Sequence, residues 1–165
     1  MASLRIKAVQ LKGFDLEPMT PVAAKTVGPL LSRIDPWARY AYTGDALTAF
    51  LANEEPGAPR FAIKADRVIA GAISIRNNWL RGPYLQFLGI LPGYQSHGIG
   101  GAILDWLESE ARGIGAQNLW VAASEFNTRA LSFYEKHGFN RIATLSDLVV
   151  EGSSEILLRK RLTAD

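Results

Sequence analysis

The chain of 165 residues is 48% hydrophobic and 21% charged, which suits one globular domain over residues 1–165 with a sizeable core. Its 18 Lys and Arg against 16 Asp and Glu leave a net charge of +2, and because the basic residues are scattered rather than run together, no nucleic-acid surface is expected. Having no Cys and only two His, the chain offers no disulfide frame, thiolate zinc site or cysteine nucleophile, so no metal is expected and any chemistry falls to oxygen, nitrogen and backbone groups.

The opening stretch MASLRIKAVQLKG lacks a long apolar run, so neither a signal peptide nor a membrane span is expected there, and a cytoplasmic location is the default. Leu4, Ile6 and Ala8 alternate with Arg5, Lys7 and Val9, predicting a half-buried strand over 4–12. Val22, Ala23, Val27, Leu30, Leu31 and Ile34 recur at helical spacing over 20–33, with Pro21 at the start and a bend or break expected at Gly28-Pro29. The aromatic loop IDPWARYAY follows. A second helix begins near Thr43, with the stripe Ala46, Leu47, Phe50 and Leu51.

From Arg60 the period changes to two. RFAIKA, a turn at Asp66-Arg67 and VIAGAISIRNNW read as an antiparallel hairpin, and PYLQFLGILP as an apolar strand whose Gly89 marks a bulge or a close backbone approach. Behind QSHGIGG, the residues Ile99, Ala102, Ile103, Trp106, Leu107 and Ala111 define a helix ending near Gly113 or Gly115. NLWVAAS is a buried strand, Asn127 caps the helix TRALSFYEKH that Gly138 closes, and the tail supplies two strands joined near Glu151-Gly152. The order β-α-α-β-β-β-α-β-α-β-β describes one mixed α/β unit.

A strand ending at Pro92, followed by glycines and the first turn of a long helix, exposes unpaired N–H groups at the positive end of a helix dipole, which makes an anion site. A tight strand-to-helix turn without ligand is the competing reading of these glycines alone. A P-loop is excluded because Gly-Ala-Ile-Leu stands where Lys and Ser or Thr are required, and a dinucleotide fingerprint because the preceding strands read as antiparallel.

The stretch LGILPGYQSHGIGGAIL resembles the Leu-x-Val-x-Pro-x-x-Arg-x-x-Gly-x-Gly segment of the GNAT superfamily of acyl-CoA-dependent N-acyltransferases, with Gln95 where the family allows Gln or Arg. A second block, NTRALSFYEKHGF, is similar to the family's Asn-x-x-Ala-x-x-x-Tyr-x-x-x-Gly-Phe, with Asn127, Ala130, Tyr134, Gly138 and Phe139 in register. The resemblance implies the GNAT fold: a mixed sheet of about seven strands with a splay between the fourth and fifth, and about four helices. It implies acetyl-CoA as acyl donor. The pantetheine arm would lie in the splay against the backbone of Leu88, Gly89 and Ile90, held also by Asn127. The pyrophosphate would sit on the N–H groups of Gln95, Ser96, His97, Gly98, Ile99, Gly100 and Gly101. The Ile90 N–H would polarise the thioester carbonyl, and Tyr134 would protonate the departing thiolate. The resemblance further implies a small-molecule or peptide amine acceptor, and dimerisation stands as an expectation by analogy alone.

One departure from the family pattern is plain. Its members often carry a Glu as general base on the splayed strand or the next, and here YLQFLGIL and NLWVAAS contain no acid. Glu54, Glu125 or Glu151 acting through water, or no base at all, are the alternatives. A catalytically degenerate acyl-CoA-binding module is therefore the second functional reading. His97 and His137 are both expected to be non-catalytic. Trp37, Tyr40, Tyr42, Trp79 and Tyr84 either wall an acceptor pocket, with Asp35 or Asp45 attracting a cationic amine, or simply cover the core.

Overall fold

The computed structural model describes Leu4 and residues 7–163. Of the strand expected over 4–12, Arg5 and Ile6 lie outside the described residues. Among the described residues of that span only Val9–Leu11 is a strand, β1, which turns back at Lys12-Gly13 into the antiparallel β2 (Phe14–Pro18). β2 lies beyond the expected strand, and with it the sheet has eight strands rather than seven.

Helix α1 (Pro21–Leu31) starts as its signals require, with the Thr20 hydroxyl accepting the Ala23 N–H at 3.1 Å. The expected break at Gly28-Pro29 does not occur. Pro29 sits in the last turn, where its missing N–H costs a single helical bond. Gly28 marks the crossing of α2 (Gly44–Ala52): a Cβ there would lie 2.4 Å from Thr48 Oγ1 and 2.8 Å from the Thr48 nitrogen. Thr43 caps α2 through the Ala46 N–H, as expected.

The hairpin read from the change of period is present as β3 (Arg60–Ala65) and β4 (Val68–Trp79), joined at Asp66-Arg67, where both residues have positive φ as a type I′ turn requires. Then follow β5 (Gly82–Ile90), α3 (Ile99–Gly113), β6 (Asn118–Ser124), α4 (Thr128–Lys136), β7 (Asn140–Ser146) and β8 (Ser154–Arg161). The sheet order is β1-β2-β3-β4-β5-β6-β8-β7. Every neighbouring pair is antiparallel except β5 and β6.

Each face of the sheet buries its own core. On one, Phe61, Ile63, Ile73 and Val121 meet Ile103 and Leu107 of α3 and Leu131 and Tyr134 of α4. On the other, Ala72 and Phe87 meet Ala24, Val27 and Leu31 of α1 and Leu47 and Leu51 of α2. Val27, Leu31, Leu47, Leu51, Ile103 and Leu107 of the stripes read from helical spacing face these cores, whereas Val22 and Leu30 of the first stripe and Ala46 of the second are exposed and Ala24, outside the stripe, is buried.

The parallel contact of β5 and β6 is short, pairing only Tyr84 with Trp120 and Leu85 with Val121. Beyond it the strands part. The β4–β5 register slips at the same place, where Ser74 faces Phe87 but Ile75 faces Leu85, so Gln86 is the extra residue of a bulge that bends β5. Gly89 is not that bulge. It is a close approach, since a Cβ there would come 2.7 Å from Leu31 Cδ2 and 3.0 Å from the Trp37 ring. The closed end of the gap is clamped by the Trp120 indole N–H donating to Leu80 O at 3.1 Å. It is clamped also by Gly82, where a Cβ would stand 1.8 Å from Asn118 O. Gly82→Ala is expected to force β5 and β6 apart at this junction and to cost about 1–3 kcal/mol. A thermal melt should show a fall in Tm of about 2–4 °C for each kcal/mol.

Candidate active site

Strand alternation decides which backbone groups of β5 face the gap. The Leu91 N–H donates to Ala70 O at 2.8 Å, so Leu91 turns toward the β4 side. Gly89 and Phe87 share its orientation, and the N–H and C=O groups of Leu88 and Ile90 point the other way, into the opening toward β6. The Ile90 carbonyl accepts the Gln95 Nε2 amide at 2.8 Å.

Past Ile90 the chain makes a short 3₁₀ turn at Pro92–Tyr94 and enters α3 through two left-handed residues, Ser96 (φ 63) and Gly98 (φ 80). The Gln95 N–H turns back to Pro92 O at 3.4 Å. The next six, from Ser96 to Gly101, find no acceptor among the described residues. Six consecutive free donors at the N-terminus of a fifteen-residue helix form a nest with the helix dipole behind it. Arg129 of α4 adds a full positive charge beside it, its guanidinium donating to Ser96 Oγ at 3.0 Å and Gln95 Oε1 at 3.3 Å. No local pattern marks Arg129, because only the packing of α4 against α3 brings it there.

The glycines of this turn divide into two kinds. Gly98 needs its positive φ, and a Cβ there would meet nothing. Gly100 and Gly101 instead face α4, where a Cβ would come 2.9 Å from Phe133 Cζ and 3.0 Å from His137 Nε2 respectively. They let two helices approach, and so fix α4, which carries Tyr134, relative to the nest. His97 is exposed, whereas His137 is engaged through Nδ1 with Phe133 O at 2.8 Å.

A cavity of about 360 Å³ opens where β5 and β6 separate, and Gln86, Leu88, Asn127, Ala130 and Tyr134 line it. Asn127 accepts the Ala130 N–H at 3.2 Å and so caps α4. Tyr134 is 7% exposed, and its hydroxyl forms no hydrogen bond among the described residues. Burial, with a smaller contribution from Tyr84, raises the pKa of its phenol above the ordinary 10.0. Burial also raises Tyr84 and Tyr40, the negative charge of Glu155 acting in the same direction on both.

Of the aromatics expected at an acceptor pocket, Trp37, Tyr40, Tyr42 and Tyr84 line the cavity. Trp79 does not; it stacks behind Tyr84 at 4.7 Å and against Trp120 at 5.4 Å. Asp35 and Asp45 are not among the lining residues, nor are Glu54, Glu125 and Glu151. The acid that is there, Glu155 of β8, was missed. It stands opposite Ser124 in the β6–β8 register, a pairing between strands distant in sequence.

The chain belongs to the acetyltransferase (GNAT) family, whose model matches residues 26–139. An uncharacterized N-acetyltransferase of Mycobacterium tuberculosis is 29% identical over 135 residues, covering 81% of this chain and 80% of that protein. Ard1 of Thermoplasma volcanium has the same fold at a TM-score of 0.73 and 18% identity, over 92% of this chain and 99% of that one. A GNAT family acetyltransferase of Elizabethkingia anophelis solved with acetyl-CoA bound matches at a TM-score of 0.65 and 17% identity, over 92% and 100%. The eight-stranded mixed sheet with four helices is the GNAT fold.

The buried phenol has a stability consequence of fixed sign. Because its pKa is raised in the folded state, the contribution of un-ionised Tyr134 is fully present below pH about 10 and is lost as pH rises through the higher folded value. Urea denaturation should therefore show the stability of the wild type relative to Tyr134→Phe constant up to pH 9 and declining at pH 10 and 11.

Proposed function

We propose that this protein is an acetyl-CoA-dependent N-acetyltransferase that moves an acetyl group to a primary amine of a small molecule or peptide by direct attack. The observation that carries the proposal is the run of six free N–H donors from Ser96 to Gly101, placed where the opened edge of β5 ends. A diphosphate with a linear amide-bearing arm is a ligand shaped for that combination, because the nest takes the anion and the strand edge takes the amides.

The donor supplies an activated thioester acyl group. Ser96, His97, Gly98, Ile99, Gly100 and Gly101 hold its pyrophosphate through backbone N–H groups, aided by the Arg129 charge and with Gln95 bracing the turn on Ile90 O. Leu88 and Ile90 bind the pantetheine amides, with Gly89 between them and Asn127 at the far side of the gap. The Ile90 N–H polarises the carbonyl under attack.

Tyr134 is the general acid. As the amine nitrogen bonds to the acyl carbon and the carbon–sulfur bond breaks, the phenol gives its proton to the sulfur, and the surplus proton on nitrogen restores the phenol through solvent. The phenol holds its proton at neutral pH, as an ordinary tyrosine does, and burial raises its pKa further.

Thiol release with a panel of amines tests the proposal. Tyr134→Phe should lower kcat by about 10²–10⁴ while leaving the KM for acetyl-CoA within about threefold. If coenzyme A binds but no amine supports thiol release above hydrolysis, the acyl-CoA-binding module is the correct reading. Coenzyme A at about 100 times its dissociation constant should stabilise the fold by about 2.7 kcal/mol, and a thermal shift of zero with any acyl-CoA removes the nest from consideration.

A further inference from the structure

Glu155 is 9% exposed and forms no salt bridge among the described residues. A buried carboxylate without a cation is costly to keep, and the usual compensation is a partner charge or a full set of hydrogen bonds. Glu155 has half of such a set. Both of its bonds fall on Oε1, from the Tyr40 hydroxyl at 2.5 Å and the Ser124 hydroxyl at 2.8 Å. Oε2 has no partner, yet it is not among the polar atoms sealed from solvent, so it keeps an opening, and Glu155 lines the cavity between β5 and β6.

The rest of that cavity is informative in what it contains. Trp37, Tyr42, Phe50, Leu148 and Val149 give it apolar and aromatic walls beside the neutral polar Gln86, Ser124 and Asn127, and Glu155 is its only charged lining residue among those described. One anion beside aromatic rings matches one cation, which the rings also favour through their faces. A second ammonium would find no further carboxylate, and a carboxylate on the ligand would find no cation and would be repelled by Glu155.

We infer that Glu155 anchors the acceptor through Oε2 as its ammonium, which gives up one proton to solvent before the neutral nitrogen attacks, and that the site selects a small monocationic primary amine with an apolar or aromatic body over amino acids and polyamines. This rests on the acetyl-transfer reading above and specifies its acceptor. Tyr40, reaching from the loop between α1 and α2, is a positioning residue: it holds the carboxylate and is itself braced by Ser153 at 3.1 Å.

Calorimetric titration of the full chain with 2-phenylethylamine, with and without coenzyme A, tests the inference. Saturable binding is expected, at least tenfold tighter than that of phenylalanine or spermidine. Glu155→Gln preserves the side-chain shape and an oxygen acceptor for Tyr40 and Ser124, and should weaken 2-phenylethylamine at least tenfold with coenzyme A affinity unchanged. Equal binding to wild type and variant overturns the inference, as does no saturable binding of 2-phenylethylamine, or phenylalanine binding as tightly. The wild-type comparison stands even if the variant does not fold. Thiol release run on the same samples separates the two readings: turnover of 2-phenylethylamine that is indifferent to Glu155→Gln defeats the anchor alone. Binding through Glu155 without any thiol release defeats acetyl transfer alone.

Discussion

Everything at the site depends on how little of β5 pairs with β6. Two residue pairs, Tyr84 with Trp120 and Leu85 with Val121, hold the strands together, and the bulge at Gln86 then turns β5 away. A parallel junction that continued would satisfy the backbone of Leu88 and Ile90 internally and fill the cavity with the ladder itself. Because it stops, a strand edge is left open inside the fold rather than at its rim. Edges of this kind invite pairing by an extended ligand. Gly82 and Trp120 keep the closed end tight, so the opening has a defined hinge point rather than a general looseness.

The helices make that opening chemically useful. Helix α3 begins at the end of the opened strand and turns its free N–H groups outward, while α4 crosses close to it because Gly100 and Gly101 present no side chain to Phe133 and His137. The same crossing puts Arg129 beside the nest and Tyr134 in the cavity wall. One packing contact thus joins the run of free N–H groups to the buried phenol of Tyr134, although the residues concerned stand far apart in sequence.

Charge is distributed with equal economy. The nest is lined by backbone dipoles and one arginine, whereas the cavity holds one buried carboxylate among aromatic rings. The nest and the cavity therefore present opposite potentials. Tyr84 lines the same cavity, where the charge of Glu155 adds to burial in raising its pKa and it adds in turn to the burial that raises Tyr134.

Local rules carried the reading of the chain a long way. Periodicity placed the helices and the β3–β4 hairpin, caps at Thr43 and Asn127 marked their helices, and the glycine-rich turn with the Asn127 block identified the family, since each depends on residues within one or two turns of each other. Two local expectations needed correction: an unexpected strand, Phe14–Pro18, follows the turn at Lys12-Gly13 and pairs with β1, and Pro29 is harmless because α1 ends two residues later. The cavity beside β6 and β8 was beyond such rules. Glu155 reads as one more charge at the start of a strand until the β6–β8 register sets it against Ser124 and the fold lays Tyr40 over it. Arg129 likewise gains its meaning from the α3–α4 crossing. Motif and period are properties of neighbours along the chain, whereas the burial of a charge and the partner it lacks are properties of neighbours in space, and those only the packed sheet decides.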